Sequence, residues 1–148
     1  TWSDPIQITN SGYNKLYLSA IRDNINFYHI CFCEYENNGY IVKYINGYLS
    51  ENKFNLKTSS YLSEPSTCMY PELIKNNSKL LLSWVNYNKL FTCTSTNDGL
   101  TWSKPNIDEY SLEDNFIRST FYSNYKDDLE YNISHVFSTL NDVGILGL

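Results

Sequence analysis

Two arginines, Arg22 and Arg118, are the side chains of this chain best suited to binding an anion. Arginine carries a planar, permanently charged guanidinium group that donates paired hydrogen bonds to a carboxylate. Each arginine lies beside the predicted first strand of a unit, downstream of a Thr-Trp pair at positions 1–2 or 101–102. We therefore predict that both face one central surface and hold an anionic sugar there. The alternative is that both are solvated surface charges.

His29, Cys31 and Cys33 are the residues best spaced to hold a metal ion. Residues two apart in a strand point to the same face, but no turn among these three could wrap the chain around a zinc ion. The spacing therefore predicts buried strand residues and no metal site.

The four cysteines favour disulfides formed in an oxidising compartment. The sequence does not fix the pairing. Cys68 and Cys93 are the first candidate pair, because we expect them to lie on neighbouring strands of one unit. Glycosylation sequons beginning at Asn76 and Asn132 agree with an oxidising, secretory compartment. We predict a secreted or cell-surface protein.

A polar turn motif spans positions 95–102, and the second half of it, Thr-Trp-Ser-x-Pro, also occupies positions 1–5. We expect short side chains of this turn to bond backbone amides, a glycine to supply positive φ, and a tryptophan to fold back as an apolar plug. Recurrence of such a turn predicts stacked or radially arranged sheets. Because the first copy lacks its polar half, we also predict that the chain is a segment of a longer protein. The residues of the motif are Ser95, Asn97, Asp98, Gly99, Thr101 and Trp102.

This motif resembles the Asp box (BNR repeat) of sialidases and related β-propellers, whose consensus is Ser-x-Asp-x-Gly-x-Thr-Trp. Every fixed position matches except the third, where Asn97 replaces aspartate. The resemblance implies an all-β fold in which the chain supplies about three four-stranded antiparallel blades of a six-bladed propeller. The approximate blades are 1–65, 66–109 and 110–148, the last of which the chain need not complete. In that family the box lies opposite the ligand site, so its residues are predicted to be structural.

The composition and the local patterns agree with strands. The chain has one alanine against 14 tyrosines, which disfavours helices. Strands are predicted at 16–21, 25–35 and 40–49, with a hairpin turn at Asn38 and Gly39. The second unit spans 69–105, and further strands are predicted at 116–122, 131–139 and 143–148. Residues 51–65 are polar and rich in serine, and they hold only a degenerate remnant of the turn motif.

A working sialidase carries three arginines on the substrate carboxylate, a tyrosine nucleophile beside a glutamate, and an aspartate acid/base. This chain has only two arginines and no Arg-x-Pro motif. By resemblance, Tyr122, which a serine follows, is the candidate nucleophile, and Glu72 is the candidate for the glutamate that would activate it. The alternative for Glu72 is a rim residue after Pro71.

We therefore predict a noncatalytic, secreted propeller segment that binds a protein or glycan partner and needs no cofactor. Its layout also resembles the cysteine-rich protective antigen type of adhesion or invasion propeller. The alternative function is a fragment of a sialidase or related glycoside hydrolase that acts on terminal sialic acid or other sugars. An open half ring exposes sheet faces, so we expect the rest of the propeller, a second copy or another chain to cover them.

Charge and hydrophobicity exclude two other classes of partner. The net charge is −5 and the pI is about 4.9, and no basic stripe is present to bind nucleic acid. The apolar runs are far shorter than the roughly 20 residues of a membrane-spanning helix. We therefore predict neither a nucleic-acid partner nor a membrane span.

Overall fold

The computed structural model describes residues 2–23, 25–76, 79–113, 116–122, 124 and 135–139. In these ranges the chain forms two four-stranded sheets, a two-stranded sheet and one short helix. The all-β prediction is confirmed, with antiparallel pairing throughout the three sheets. The helix α1 spans Tyr110–Glu113.

Each four-stranded sheet is a meander in chain order. Sheet 1 comprises β1 (Lys15–Arg22), β2 (Phe27–Glu36), β3 (Gly39–Ser50) and β4 (Lys53–Tyr61). Sheet 2 comprises β5 (Met69–Asn76), β6 (Lys79–Asn86), β7 (Lys89–Ser95) and β8 (Asn106–Ile107). Sheet 3 comprises β9 (Phe116–Thr120) and β10 (His135–Thr139). Of the predicted strands, 131–134 and 143–148 fall outside the described residues.

Two-residue turns in which both φ angles are positive join β2 to β3, β3 to β4 and β6 to β7. Asn37 and Asn38 have φ of 51° and 63°, and Tyr87 and Asn88 have φ of 48° and 57°. Such turns match the right-handed twist of the flanking strands, and asparagine adopts this conformation at low cost. The predicted hairpin is therefore present, but its turn lies one residue earlier than expected and Gly39 begins β3.

Apolar residues between the sheets hold the three layers together. Sheets 1 and 2 pack through a buried cluster that includes Tyr44 and Trp84, and sheet 2 packs against sheet 3 through Leu90 and Phe137. Successive side chains of a strand point to opposite faces of its sheet. Sheet 2 therefore has one apolar face toward sheet 1 and another toward sheet 3. The result is a stack in which the sheets follow one another in chain order.

Sheets 1 and 2 are two copies of one structural unit. Each has a register shift in its first strand, between Leu16 and Ser19 in β1 and between Met69 and Glu72 in β5. Aligning these β-bulges makes Tyr17 equivalent to Tyr70 and Ser19 equivalent to Glu72. The same alignment makes Phe32 equivalent to Trp84.

The predicted disulfide between Cys68 and Cys93 is wrong in this structure, because all four cysteines are free and buried. Cys68 immediately precedes β5, whereas Cys93 lies on β7, and β6 runs between these strands. Two strand spacings amount to roughly 10 Å, whereas a disulfide requires Cα atoms within about 7 Å. Secretion stays a prediction.

Burial should make these thiols unreactive in the folded protein. It raises the pKa of Cys33 and of Cys93 to about 12, with the charge of Cys68 a second cause at Cys33. Because the thiolate is the reactive form, we expect almost no labelling by a disulfide reagent at pH 8. All four thiols should react after unfolding in guanidinium chloride. Labelling can be counted by mass spectrometry, and rapid modification of the native chain would contradict the burial seen here.

Candidate functional site

The candidate site lies at the bulges of β1 and β5, the first strands of sheets 1 and 2. The two strands are neighbours, since the backbone N–H of Leu73 donates to Oγ of Ser19 over 3.2 Å. A β-bulge redirects the side chain at its position and is common beside functional sites. Both bulges place a tyrosine there.

Tyr17 and Tyr70 adopt left-handed backbone conformations, with φ of 57° and 52°. This region costs a residue with a side chain roughly 1–2 kcal/mol, and such outliers cluster at functional sites. The two rings contact each other, with centroids 4.6 Å apart and planes tilted by 57°. Burial and the neighbouring Tyr70 raise the pKa of Tyr17, so its hydroxyl stays protonated. We call this pair of contacting tyrosine rings the aromatic platform.

A buried carboxylate, Glu72, lies two residues beyond Tyr70 on β5. Glu72 is only 3% exposed, and its Oε2 lies 3.7 Å from Nη2 of Arg118 and 3.4 Å from Nδ1 of His135. Arg118 also lies over the ring of Tyr70, with Cζ 5.0 Å from the centroid. Arg118 and His135 are themselves partly open to solvent. Glu72 thus lies against two basic side chains that are each 29% exposed.

We call these residues the tyrosine–glutamate cluster; they are Tyr17, Tyr70, Glu72, Arg118 and His135. They combine aromatic faces with hydroxyl, guanidinium and imidazole groups on three sheets. Sheet 1 gives one residue, sheet 2 gives two and sheet 3 gives two. Such a surface can stack against an apolar ring face while hydrogen-bonding the polar groups at the edge of that ring.

The structure brings together two of the four predicted site residues. Glu72 and Arg118 meet in the cluster, but Arg22 lies at the far end of β1, where it bonds Oδ1 of Asn26. Five residues of strand, roughly 16 Å, separate it from Tyr17. Tyr122 lies two residues beyond β9 and is 90% exposed. Neither Arg22 nor Tyr122 therefore belongs to the cluster.

Sequence reasoning missed the two platform tyrosines and His135. The signals that could have found Tyr17 and Tyr70 are weak, since both are ordinary tyrosines in a chain that has 14. What distinguishes them is the bulge, and no glycine marks it in either strand.

The turn motif forms a closed set of hydrogen bonds between β7 and β8. Oδ1 of Asn97 accepts from the hydroxyl of Ser95 over 2.9 Å and from the backbone N–H of Thr101 over 3.0 Å. Oγ of Ser95 accepts from the N–H of Gly99 over 2.9 Å, and Gly99 has φ of 81°. Trp102 then packs edge-on against Tyr44 of sheet 1, with centroids 4.9 Å apart.

Beside this turn, a buried polar network joins sheets 1 and 2. His29 is completely buried, with Nδ1 2.7 Å from the hydroxyl of Tyr44. Nζ of Lys75 lies 3.4 Å from Nε2 of His29, 3.1 Å from Oδ1 of Asp98 and 3.5 Å from Oδ2 of Asp23. Lys75 is three residues beyond Glu72 on β5, so the network and the tyrosine–glutamate cluster occupy different ends of that strand.

His29 shares its strand with Cys31 and Cys33, and all three are buried. The described ranges contain no group of three histidine, cysteine or acidic residues that could hold a metal ion. The same ranges contain no helix long and apolar enough to cross a membrane.

Comparison with known proteins adds no family assignment. No protein-family model matches the chain, and no curated protein or solved structure shows significant similarity to it. The function is therefore inferred from the geometry of the site.

Proposed function

We propose that this chain is a noncatalytic segment of an Asp-box type β-propeller that binds a glycan at the tyrosine–glutamate cluster. The meanders follow one another in chain order and their first strands are neighbours, as propeller blades require. The hydrogen-bonded turn after β7 supports the same fold. Glycan binding is proposed from the tyrosine–glutamate cluster.

The chemistry of the cluster suits a sugar. A pyranose presents a face of C–H groups that packs on an aromatic ring, and its rim of hydroxyls needs donors and acceptors. Tyr17, which is 38% exposed, supplies an aromatic ring, and Arg118, which lies over the ring of Tyr70, and His135 supply polar groups next to it. The buried Glu72 holds the guanidinium in place, which lowers the cost of ordering it on binding.

Binding is favoured over hydrolysis because the sequence-predicted catalytic pair is not assembled: Tyr122 is exposed, whereas Glu72 is buried. One observation favours the alternative of a glycoside hydrolase. Glu72 lies two residues from Tyr70 and beside Arg118, and a carboxylate next to a tyrosine can activate its hydroxyl as a nucleophile.

The test is a screen of the purified chain on a glycan array, followed by calorimetric titration of the best ligand. Tyr70→Ala and Arg118→Ala should each weaken binding at least tenfold, about 1.4 kcal/mol. Tyr122→Ala and Arg22→Ala are matched controls, because they remove the same residue types outside the cluster. Circular dichroism should show that all four variants stay folded.

Two results would count against the proposal. If the control variants lose as much affinity as the cluster variants, the ligand does not bind at the cluster. If fluorogenic sialosides or other glycosides are turned over and Glu72→Gln abolishes the turnover, the chain is a hydrolase rather than a binding protein.

A further inference from the structure

Tyr35 and Tyr40 form a second pair of contacting tyrosine rings on sheet 1. They are cross-strand partners on β2 and β3, and their ring centroids lie 5.2 Å apart with planes at 65°. Residues directly opposite each other on antiparallel strands share one face of the sheet. Tyr35 is 40% exposed, whereas Tyr40 packs against the buried cluster between sheets 1 and 2. The partly buried ring therefore supports the exposed one.

The aromatic platform has the same construction. Tyr17 is the exposed ring there, and it contacts Tyr70, which packs against the buried cluster between sheets 2 and 3. An exposed ring that is held by a partly buried neighbour has less conformational freedom to lose when a ligand binds. Each pair therefore offers one ordered aromatic ring to a ligand.

Backbone hydrogen bonds place the two pairs at the same end of the sheets. The N–H of Tyr35 donates to the carbonyl of Asn14 over 2.9 Å, three residues before Tyr17. Tyr40 exchanges two backbone hydrogen bonds, of 2.7 and 3.0 Å, with Ser66, which lies three residues before β5. Three residues of extended chain span roughly 10 Å. The second pair is thus the neighbour of the platform along the start of β1 and β5.

The side chain of Tyr17 connects the two pairs. Burial is the first cause that raises the pKa of Tyr17, and the charges of Tyr70, Cys33 and Tyr40 add to it. Neighbouring charges shift a pKa over a few ångströms, so the phenol of Tyr17 is close to Tyr40 as well as to Tyr70. We call the resulting set of rings the tyrosine row; in order, they belong to Tyr35, Tyr40, Tyr17 and Tyr70.

We infer that the ligand of this site is an oligosaccharide, with one sugar on Tyr17 and a following sugar on Tyr35. The inference rests on the proposed glycan binding and adds a second stacking position to it. A chain of sugars presents apolar ring faces one after another with hydroxyl groups between them, and two exposed phenol rings match this repeat. A single sugar does not cover both positions, because the backbones that carry them are offset by roughly 10 Å.

The experiment measures affinity against ligand length on the full chain. The glycan array carries each sugar as a mono-, di-, tri- and tetrasaccharide of one linkage, and the series that binds best is titrated by calorimetry. The affinity should rise roughly tenfold from the monosaccharide to the trisaccharide, about 1.4 kcal/mol for the additional stacking contact.

Substitutions at Tyr35 identify the second position. Tyr35→Ala should remove the gain of the longer ligands and leave the affinity for the monosaccharide unchanged, whereas Tyr35→Phe keeps the ring and should keep the gain. Tyr70→Ala should weaken ligands of every length. Tyr48→Ala is the matched control, because Tyr48 is similarly exposed, at 36%. It lies on β3 eight residues from Tyr40, roughly 26 Å along the strand.

The second position is refuted if the unmodified chain binds the monosaccharide as tightly as the trisaccharide, a comparison that requires no variant. It is also refuted if Tyr35→Ala weakens the longer ligands no more than Tyr48→Ala does, or weakens all lengths equally. Neither result affects the proposed function as long as Tyr70→Ala still lowers the affinity. If no sugar of any length binds, the proposed function fails and this inference fails with it.

Discussion

Replacing Gly99 with alanine is expected to lower the free energy of unfolding by about 2–5 kcal/mol. The positive φ of 81° costs an alanine roughly 1–2 kcal/mol. The added Cβ would also lie 2.6 Å from Cε1 of Tyr44 and closer still to its hydroxyl, and overpacking of this kind typically costs about 1–3 kcal/mol. Tyr44 cannot move aside easily, because it is buried between His29 and Trp102.

Gly12→Ala is the matched control for this substitution. Gly12 has a similar φ of 73°, but a Cβ there would meet nothing within 4 Å. Gly12→Ala should therefore lower the free energy of unfolding only by the cost of placing alanine at positive φ. Urea unfolding followed by tryptophan fluorescence measures both variants. If the two variants lose equal amounts of stability, the close contact between Gly99 and Tyr44 adds nothing to the cost of Gly99→Ala.

The parts of the fold that sequence predicted best are those encoded by local chemistry. The turn at 95–102 needs particular side chains at fixed spacing, since Ser95 and Asn97 bond within the turn itself. The hairpin at Asn38 likewise depends on residues that tolerate positive φ. Both could be located from sequence alone because their determinants lie within a few positions.

The strand β4 shows where local chemistry is not sufficient. Residues 53–61 include lysines, asparagine and serines, and their exposure alternates without a continuous apolar face. This is typical of an edge strand, which packs on few partners and is kept polar to avoid further pairing. Residues 53–61 form a strand because they pair with β3. That pairing could not be predicted from the pattern of residues in this segment.

The site depended on tertiary contacts in the same way. Glu72 and Arg118 were candidates by residue type, but His135 and the two platform tyrosines reach them only through the packing of three sheets. The error at Cys68 and Cys93 has a related cause. Strands were predicted on both sides of 80–84, but only the order in which the strands pair shows that β6 separates these two cysteines.

Acidification should destabilise the protein through His29. Burial, and next the charge of Lys75, hold the pKa of His29 below its ordinary value of 6.5, while Asp23 and Asp98 act in the opposite direction. The unfolded chain therefore takes up this proton first as the pH falls through 6.5. The free energy of unfolding should decrease below that pH by up to about 1.4 kcal/mol per unit.

Asp23 should act in a lower pH window. Burial alone would raise the pKa of Asp23, but backbone N–H groups of Phe27 and Ile25 and the charge of Lys75 outweigh it, and the pKa is lowered from 3.8. Its stabilising contribution is complete above 3.8 and disappears only as the pH falls below that value. Measurements between pH 7.5 and 5 therefore report on His29 without interference from Asp23.

Lys75→Met identifies the origin of this pH dependence. Without the ammonium 3.4 Å from Nε2, protonated His29 keeps the attraction of Asp23 and Asp98, so its pKa should rise and the slope below pH 6.5 should flatten. His29→Gln, which keeps a hydrogen-bonding group near Tyr44, should remove this part of the slope altogether. Lys79→Met alters an exposed lysine of β6 and serves as the control. If urea midpoints at each pH fall as steeply in His29→Gln as in the unmodified chain, acid lability comes from another group, and the network between the sheets acts only as a structural contact.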